Sequence, residues 1–449
     1  MSSRTTTSGP QIAARVRNGF GKLSAVGLMA VFAAACADDK PLNTFEPRGP
    51  SAERIDNLMN FIWIIMAVVF VLVIGGAILL TIKNRVKPED YDPEDLPAQT
   101  HGNTPLELAW TIAPAILLAI ISIPMVQEIW NLEEENDPNT GLDVMVIGQQ
   151  WWWEYRYDVD GDGFFVDANG DGFADPDFEG ADAELPLDLI LDPDDIVTAN
   201  ELVIPAGQQV DLVLTSRDVI HSYWIPRLNG KRDTVPGRWH TWSVEADEPG
   251  KYTGWCTEYC GLSHARMRMS AVALSDEDFA IWWDNQTQLA DIPTDEEALA
   301  GRELFMNNCQ RCHVINDGDM AYDDNYTSDI ALVAKAAPNL THFATRATFA
   351  GGIYGVYAGG EDGGTDPNDD ALNADDYIHL SELAVDPTDL DDYRWNSAEL
   401  KRWISNAPSR KAMASDPIEE TGLGRGMPAF TDLSDEQLDQ IVAYLATLD

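Results

Sequence analysis

Twelve residues, Cys256-Thr-Glu-Tyr-Cys260-Gly-Leu-Ser-His264-Ala-Arg-Met267, hold two thiols, an imidazole and a thioether. Soft sulfur with imidazole is the donor set that selects copper in electron-transfer sites. One copper would need only one thiolate. Two cysteines four apart on one loop could bridge two coppers if a second imidazole comes from elsewhere, and His221, in His221-Ser-Tyr-Trp-Ile-Pro-Arg, is the obvious supplier. The alternatives are a Cys256–Cys260 disulfide or a zinc site, and neither has a use for Met267. A second motif, Cys309-Gln-Arg-Cys312-His313, reads as c-type haem attachment, with both thiols added to the haem vinyl groups and His313 as proximal iron ligand. A zinc half-site or a dithiol would look the same locally. A thioether is a common sixth ligand in cytochromes c, and Met413 and Met427 are the downstream candidates; packing or surface roles suit Met320 and Met413 better.

These donors need a scaffold. From 142 to 275 the chain reads as short strands: Leu142-Asp-Val-Met-Val-Ile-Gly, Glu201-Leu-Val-Ile-Pro, Gln209-Val-Asp-Leu-Val-Leu-Thr and His240-Thr-Trp-Ser-Val-Glu-Ala alternate apolar and polar residues. This predicts an all-β sandwich of Greek-key, cupredoxin type over 131–285, with the ligands on loops at one end. Trp151-Trp152-Trp153 on a strand would point to alternate faces, so at least one ring is expected at the surface. Residues 293–449 are expected to form an all-α cytochrome c domain. Its last helix carries apolar residues at 438, 441, 442, 445 and 448, and Ser434 with Gln437 makes a capping box. Upstream, the uncharged runs 61–80 and 108–126 each match a hydrocarbon core of ~30 Å. They predict a transmembrane hairpin over 55–130, with spans at about 59–82 and 106–128. Pro114 and Pro124 are tolerable there if neighbouring helices cover the freed carbonyls. Lys83, Arg85 and Lys87 follow the first span, which places the connecting loop in the cytoplasm and everything after Trp130 outside.

The two copper-type segments resemble subunit II of the haem–copper cytochrome c oxidases, over roughly residues 55 to 285. The resemblance implies a binuclear CuA centre held by His221, Cys256, Cys260, His264, the weak axial Met267 and the backbone carbonyl of Glu258. It also implies a magnesium ion bound by the Glu258 side chain and shared with subunit I. Glu107, in Glu107-Leu-Ala-Trp110-Thr, matches a glutamate that helps protons enter subunit I; a glutamate at a helix start is otherwise often only a dipole or cap effect. Trp151 matches the aromatic residue that accepts electrons near the copper. The family often has a histidine two residues before that tryptophan; here it is Gln149, which is not a copper-ligand position. Residues 301–449 resemble a class I cytochrome c, whose distal methionine commonly stands in a Met-Pro-Ala-Phe segment. Gly426-Met427-Pro-Ala-Phe430 matches, so the resemblance implies Met427 as the sixth ligand. It further implies that Pro338 offers its carbonyl to the His313 ring, fixing the tautomer.

The whole chain then reads as the electron-relay subunit of a proton-pumping terminal oxidase with a fused cytochrome c domain. Electrons would pass from a donor, such as a cytochrome c or an upstream respiratory complex, through haem c and CuA to subunit I. Oxygen would be reduced to water there, so no catalytic acid or base is expected in this chain. The rival readings are a membrane-anchored carrier with no oxidase partner and another CuA reductase component such as nitrous oxide reductase. Seven histidines are too few for the His-rich catalytic domain of the latter.

The net charge of −46 excludes nucleic acid as a partner, and it favours a basic protein partner or a saline habitat. Residues 1–35 have the basic, then apolar, then small-residue order of a signal peptide, and Cys36 at its end resembles a bacterial lipoprotein cleavage site. That places the protein in the bacterial inner membrane, with both redox domains on the periplasmic face. Two acidic insertions interrupt the domains. Residues 158–195 hold fourteen Asp or Glu and no Lys or Arg. Within them Asp158, Asp160, Asp162, Asp167, Asn169, Asp171 and Asp175 have the alternate spacing of a calcium loop, without the bidentate glutamate at position twelve. A solvated acidic loop is the competing reading. Residues 359–393, with twelve acidic residues, read as a solvated surface loop.

Overall fold

The chain is described here from a computed structural model covering residues 42–85, 102–132, 142–159, 196–317, 337–359, 393–413 and 426–449. Cys36, the signal-like segment, Lys87, Met320, most of the 359–393 insertion and six of the calcium-type residues (Asp160, Asp162, Asp167, Asn169, Asp171 and Asp175) lie outside the described residues.

Helix α1, Pro50–Lys83, starts on a proline, whose fixed φ suits the first helical turn, and carries Lys83 in its last turn. At 1.5 Å per residue its 34 residues reach about 50 Å, well beyond a hydrocarbon core. The surplus lies at the N-terminal end, ahead of the span expected from hydropathy. There the Ala52 N–H donates to the Leu228 carbonyl (3.2 Å) and the Arg48 N–H to the Arg227 carbonyl (2.7 Å), so α1 is seated on the β-domain. Helix α2, Thr104–Leu132, runs through Pro114 and Pro124 without a break. Both helices have the length and apolar composition to cross a membrane, and their central windows bury nothing within the chain. Side chains such as Val71, Leu72, Leu118 and Ile123 are exposed, which is unfavourable in water and neutral in lipid or against a partner helix.

The β-domain packs two sheets. One runs β3–β2–β1–β5–β8, built from Ile196–Ala199, Trp152–Tyr157, Leu142–Gln149, Val210–Ser216 and His240–Val244. The other runs β4–β10–β9, from Glu201–Pro205, Arg268–Leu274 and Gly250–Trp255. A separate antiparallel ribbon, β6 (His221–Trp224) with β7 (Lys231–Thr234), brings His221 to one end of the domain. The core holds Val144, Val146, Tyr155, Leu202, Leu212, Leu214 and Val272. Sequence alternation predicts a half-exposed β1, yet the strand is buried on both faces. Val144 and Val146 face the sandwich core, while Met145 and Ile147 pack beneath Trp239 on the other side. Strand β4 is likewise fully buried: the helix Asp276–Gln286 packs against it, and its Glu201 carboxylate accepts from Thr348 and Ala347 of the C-terminal domain. The Tyr157 hydroxyl joins the two sheets: it donates to the Val203 carbonyl (3.0 Å) and accepts from the Val203 N–H (2.8 Å).

After α3 (Asp276–Gln286), the described residues of the C-terminal region form three helices: α4 (Glu296–Asn308), α5 (Ser397–Arg410) and α6 (Asp435–Leu445). The expected Ser434–Gln437 capping box starts α6. Helices α4 and α6 cross at Gly301, where any Cβ would stand 1.9 Å from the Gln440 carbonyl oxygen; no larger residue permits this approach. The region is not purely helical as expected. Thr348–Phe349 pairs with Tyr354–Gly355, and Tyr357–Gly359 pairs with Tyr393–Trp395, so two short ribbons line the side facing the β-domain. Their strands are two or three residues long, too short for a period-two pattern to register.

Candidate functional site

The β9–β10 connection folds the Cys256–Met267 segment beneath the end of β6. Both cysteines are free and buried, with Sγ atoms 3.8 Å apart. A disulfide requires about 2.05 Å. The donor atoms of His221, Cys256 and Cys260 all lie within 4.8 Å of one another. His264 Nδ1 is 3.6 Å from Cys260 Sγ, Met267 Sδ is 3.8 Å from the same sulfur, and the Glu258 carbonyl oxygen is 3.3 Å from Cys256 Sγ. All six donors expected from the sequence therefore converge on one spot. The Glu258 carboxylate faces outward instead, accepting from the Tyr259 N–H (3.0 Å), and the neighbouring Tyr259 ring is 75% exposed.

His221 is fully buried, and its two nitrogens differ. Nε2 is 2.9 Å from Asp218 Oδ1, whereas Nδ1 has no hydrogen-bond partner. A buried, unpartnered imidazole nitrogen beside two thiols is what a metal ligand looks like without its metal. Asp218 is itself held by the N–H groups of Gln150 (2.8 Å) and Val219 (2.7 Å). Burial works against the charge on both partners, but their hydrogen bond prevails: it holds Asp218 below and His221 above the ordinary range. The hydrogen bond from Cys260 holds the Cys256 thiol down at about 4, against burial. The same bond, with burial and the neighbouring charge, pushes Cys260 well above its usual range. Cys256 is thus a thiolate beside a protonated Cys260, and ionising both would need a cation between them. The residues fit a two-copper centre.

Next to this site lies a buried charge cluster. Glu154 meets Arg156 (2.6 Å), Arg217 (3.2 Å) and Gln149 Nε2 (2.7 Å). Gln149, which stands where the oxidase family often has histidine, binds this carboxylate.

The second motif ends α4. Cys309 is the helix C-cap, and the N–H groups of Cys312 and His313 both donate to its carbonyl (2.9 and 3.0 Å), closing a tight turn that turns His313 inward. His313 Nδ1 is 2.8 Å from the Pro338 carbonyl, the contact that fixes the ring. Burial lowers its pKa, so the imidazole stays neutral with a lone pair for iron. Cys309, Cys312, His313, Pro338 and Met427 line one cavity of about 520 Å³. The motif and the cavity fit a haem c. Met413 also lines it, but it packs against the β-domain core, whereas Met427 packs on the core of the helical domain.

The tryptophans depart from expectation. Trp151, Trp152 and Trp153 are 4%, 7% and 0% exposed, so no ring is at the surface. Trp151 lies in the β1–β2 turn, and its indole N–H donates to the Cys260 carbonyl (3.0 Å). Trp151 and Trp152 also line the 520 Å³ cavity. The C-terminal domain covers them, which no sequence period could reveal. Glu107 caps α2, its carboxylate accepting from the Asn103 N–H (3.1 Å). Of the calcium-type residues only Asp158 is described, at the end of β2 with its N–H on the Asp143 carbonyl (3.4 Å).

Residues 142–274 match the family model described as cytochrome c oxidase subunit II, periplasmic domain, and residues 42–127 match that of the subunit II transmembrane domain. Cytochrome c oxidase subunit 2 of Alkalihalophilus pseudofirmus is 28% identical over 94% of this chain and 95% of its own length, so the similarity extends through the C-terminal region. A probable cytochrome c oxidase subunit 2 of Rickettsia bellii is 30% identical over 60% of this chain and 93% of its own length. The Cereibacter sphaeroides subunit 2 is 31% identical over 58% of this chain and 88% of its own.

Proposed function

This chain belongs to the cytochrome c oxidase subunit II family, and from that premise we propose that it relays electrons from an external donor through haem c and CuA to the oxygen-reducing subunit. Family membership makes it a membrane-anchored component of an oxidoreductase complex whose partner is subunit I, and it implies CuA copper. The finer assignments are our reading. His221, Cys256, Glu258, Cys260, His264 and Met267 hold the two coppers, and Cys309, Cys312, His313 and Met427 hold the haem. When bound, these groups supply two successive one-electron carriers.

The residues themselves do the positioning. Asp218 fixes the His221 ring so that Nδ1 faces the sulfurs. Burial of Cys256, Cys260 and Met267 keeps water off the donor atoms, so little solvent reorganises when charge moves. The Pro338 carbonyl orients His313. Trp151 spans the gap between the haem cavity and the Cys260 carbonyl, which suits it to pass electrons inward. The outward Glu258 carboxylate is assigned to a magnesium ion at the subunit I interface, and Glu107 to proton uptake there. We place the chain in a bacterial inner membrane with both redox domains on the periplasmic side.

The observation that carries this reading is the convergence of six copper-type donors around an unpartnered His221 Nδ1. Cys256→Ser tests it: the mixed-valence copper resonance should vanish from the purified oxidase while the haem c band stays. A variant that kept both signals would remove Cys256 from the centre.

A further inference from the structure

Lys411 is a lysine in an unusual place. It follows α5, where its extended backbone (φ −138°, ψ 122°) turns the side chain inward, and it is only 3% exposed. Its Nζ donates to the Trp151 carbonyl (2.6 Å) and to the Ala350 carbonyl (2.8 Å), and the same side chain lines the haem-type cavity. The titratable groups around it among the described residues are Cys260, Arg266 and Arg268, with no carboxylate. Burying an ammonium group is costly, and a lysine is rarely found there without a specific task.

We infer that Lys411 is the positioning residue that clamps the C-terminal domain onto the Trp151 turn, holding the haem cavity against the relay tryptophan. The inference rests on the proposed haem-to-copper relay. Four features support it. First, Lys411 joins three parts at once: the β1–β2 turn through Trp151, the ribbon turn through Ala350, and the cavity wall. Second, the ribbon turn is shaped around it. Ala350, Gly351 and Gly352 have φ of 59°, 78° and 72°, a left-handed run that aims the Ala350 carbonyl at Nζ. A Cβ on Gly351 would stand 2.3 Å from Nζ and 2.7 Å from the Trp151 carbonyl oxygen. Third, the clamp lies amid other bonds between the same domains. The buried Glu201 carboxylate accepts from the Thr348 hydroxyl (2.6 Å) and the Ala347 N–H (3.1 Å), Arg268 N–H donates to the Gly351 carbonyl (3.1 Å), and Ser263 Oγ donates to the Ala412 carbonyl (2.6 Å). Among the described residues, Lys411 is the one in this group whose polar atom reaches Trp151. Fourth, a lysine donates to two carbonyls at once without adding a carboxylate of its own beside Trp151, where a negative charge would repel an electron.

Each transfer moves one electron across the junction, oxidising the haem iron by one unit and reducing the copper pair by one with no proton or bond change, and four such transfers serve each oxygen molecule reduced to water. The clamp sets the distance and leaves that balance untouched. It also closes Trp151 to any external carrier, which must dock on the C-terminal domain instead.

The test uses the assembled oxidase with Lys411→Met, which keeps an apolar stem and removes the donors, and independently Gly351→Ala, which displaces Nζ while leaving Lys411 in place. Amide exchange is measured for 148–153 and 347–352, and the distance distribution between the copper and ferric haem spins is measured by pulsed EPR. Both variants should exchange these amides about tenfold faster or more, the factor given by about 1.4 kcal/mol of lost clamp. The inter-centre distance should broaden while the separate haem and copper spectra keep their wild-type form. If Lys411→Met fails to assemble, Gly351→Ala decides. Exchange within about twofold of wild type with an unchanged distance distribution overturns the inference. Amide exchange needs neither metal, so a wild type lacking haem would overturn the relay and leave the clamp to be judged on exchange alone.

Discussion

Burying an imidazole nitrogen with no partner costs on the order of 1–3 kcal/mol, and His221 carries that cost at the centre of a cluster of sulfur donors. The donor letters were legible in the sequence because cysteine, histidine and methionine in close spacing are rare and chemically specific. Their supports were not. Asp218, Glu154 and Lys411 are ordinary charged residues with no local pattern, and only the tertiary fold brings each to its partner. Glu154 makes a testable case. Burial would raise its carboxyl, but Arg217 and Arg156 overcome this and hold it below the ordinary 4.5. A depressed carboxyl stabilises the fold above about pH 4.5 and loses that contribution as pH falls through its folded value. Glu154→Gln should therefore destabilise the β-domain at neutral pH by about 3–5 kcal/mol, since two arginines lose their buried partner. The gap from wild type should shrink in denaturant titrations as pH falls from about 4.5 through the lower folded value; a gap that persists at low pH would contradict the pairing. For the haem, Met427→Ala should leave the cofactor attached through Cys309 and Cys312 but open the iron to carbon monoxide and lower its potential. Met413→Ala should leave the optical spectrum unchanged. The reverse pattern would exchange their roles.

Long, regular segments announced themselves in the sequence, and short ones did not. The two membrane helices and α6 follow simple hydropathy and capping rules. The additional turns at the start of α1 carry polar residues, and they are helical because the β-domain seats them. Strands β1 and β4 read as half-exposed, but packing on their second faces buries them. That packing comes from Trp239 for β1, and from the helix Asp276–Gln286 with residues 347–348 at Glu201 for β4, all remote in sequence. The link between the two sheets is equally non-local. Tyr157→Phe removes the one hydroxyl that serves both the N–H and the carbonyl of Val203. It should lower β-domain stability by about 1–3 kcal/mol in thermal or denaturant unfolding, with the copper resonance unchanged. A loss under about 0.5 kcal/mol would mean that water takes over both bonds.

At the scale of the molecule, the β-domain on which α1 is seated carries the copper-type site, and the C-terminal domain covers its tryptophan turn. The net charge of −46 suits a basic electron donor or a saline habitat. Composition reveals that charge at once, but the stacking of the C-terminal domain on the β-domain could not be read from it. The expectation of a surface tryptophan failed for this reason: a strand's two faces can be counted from sequence, but the domain that covers them cannot. We propose that electrons reach the copper centre through the haem domain of the same chain. Injecting single electrons into the assembled oxidase with a photoreductant, and following the haem c and near-infrared copper bands together, tests this. The haem band should be reduced first and should reoxidise at the rate at which the copper band bleaches, one electron for one, independent of protein concentration. Copper bleaching that precedes or ignores the haem signal would contradict it.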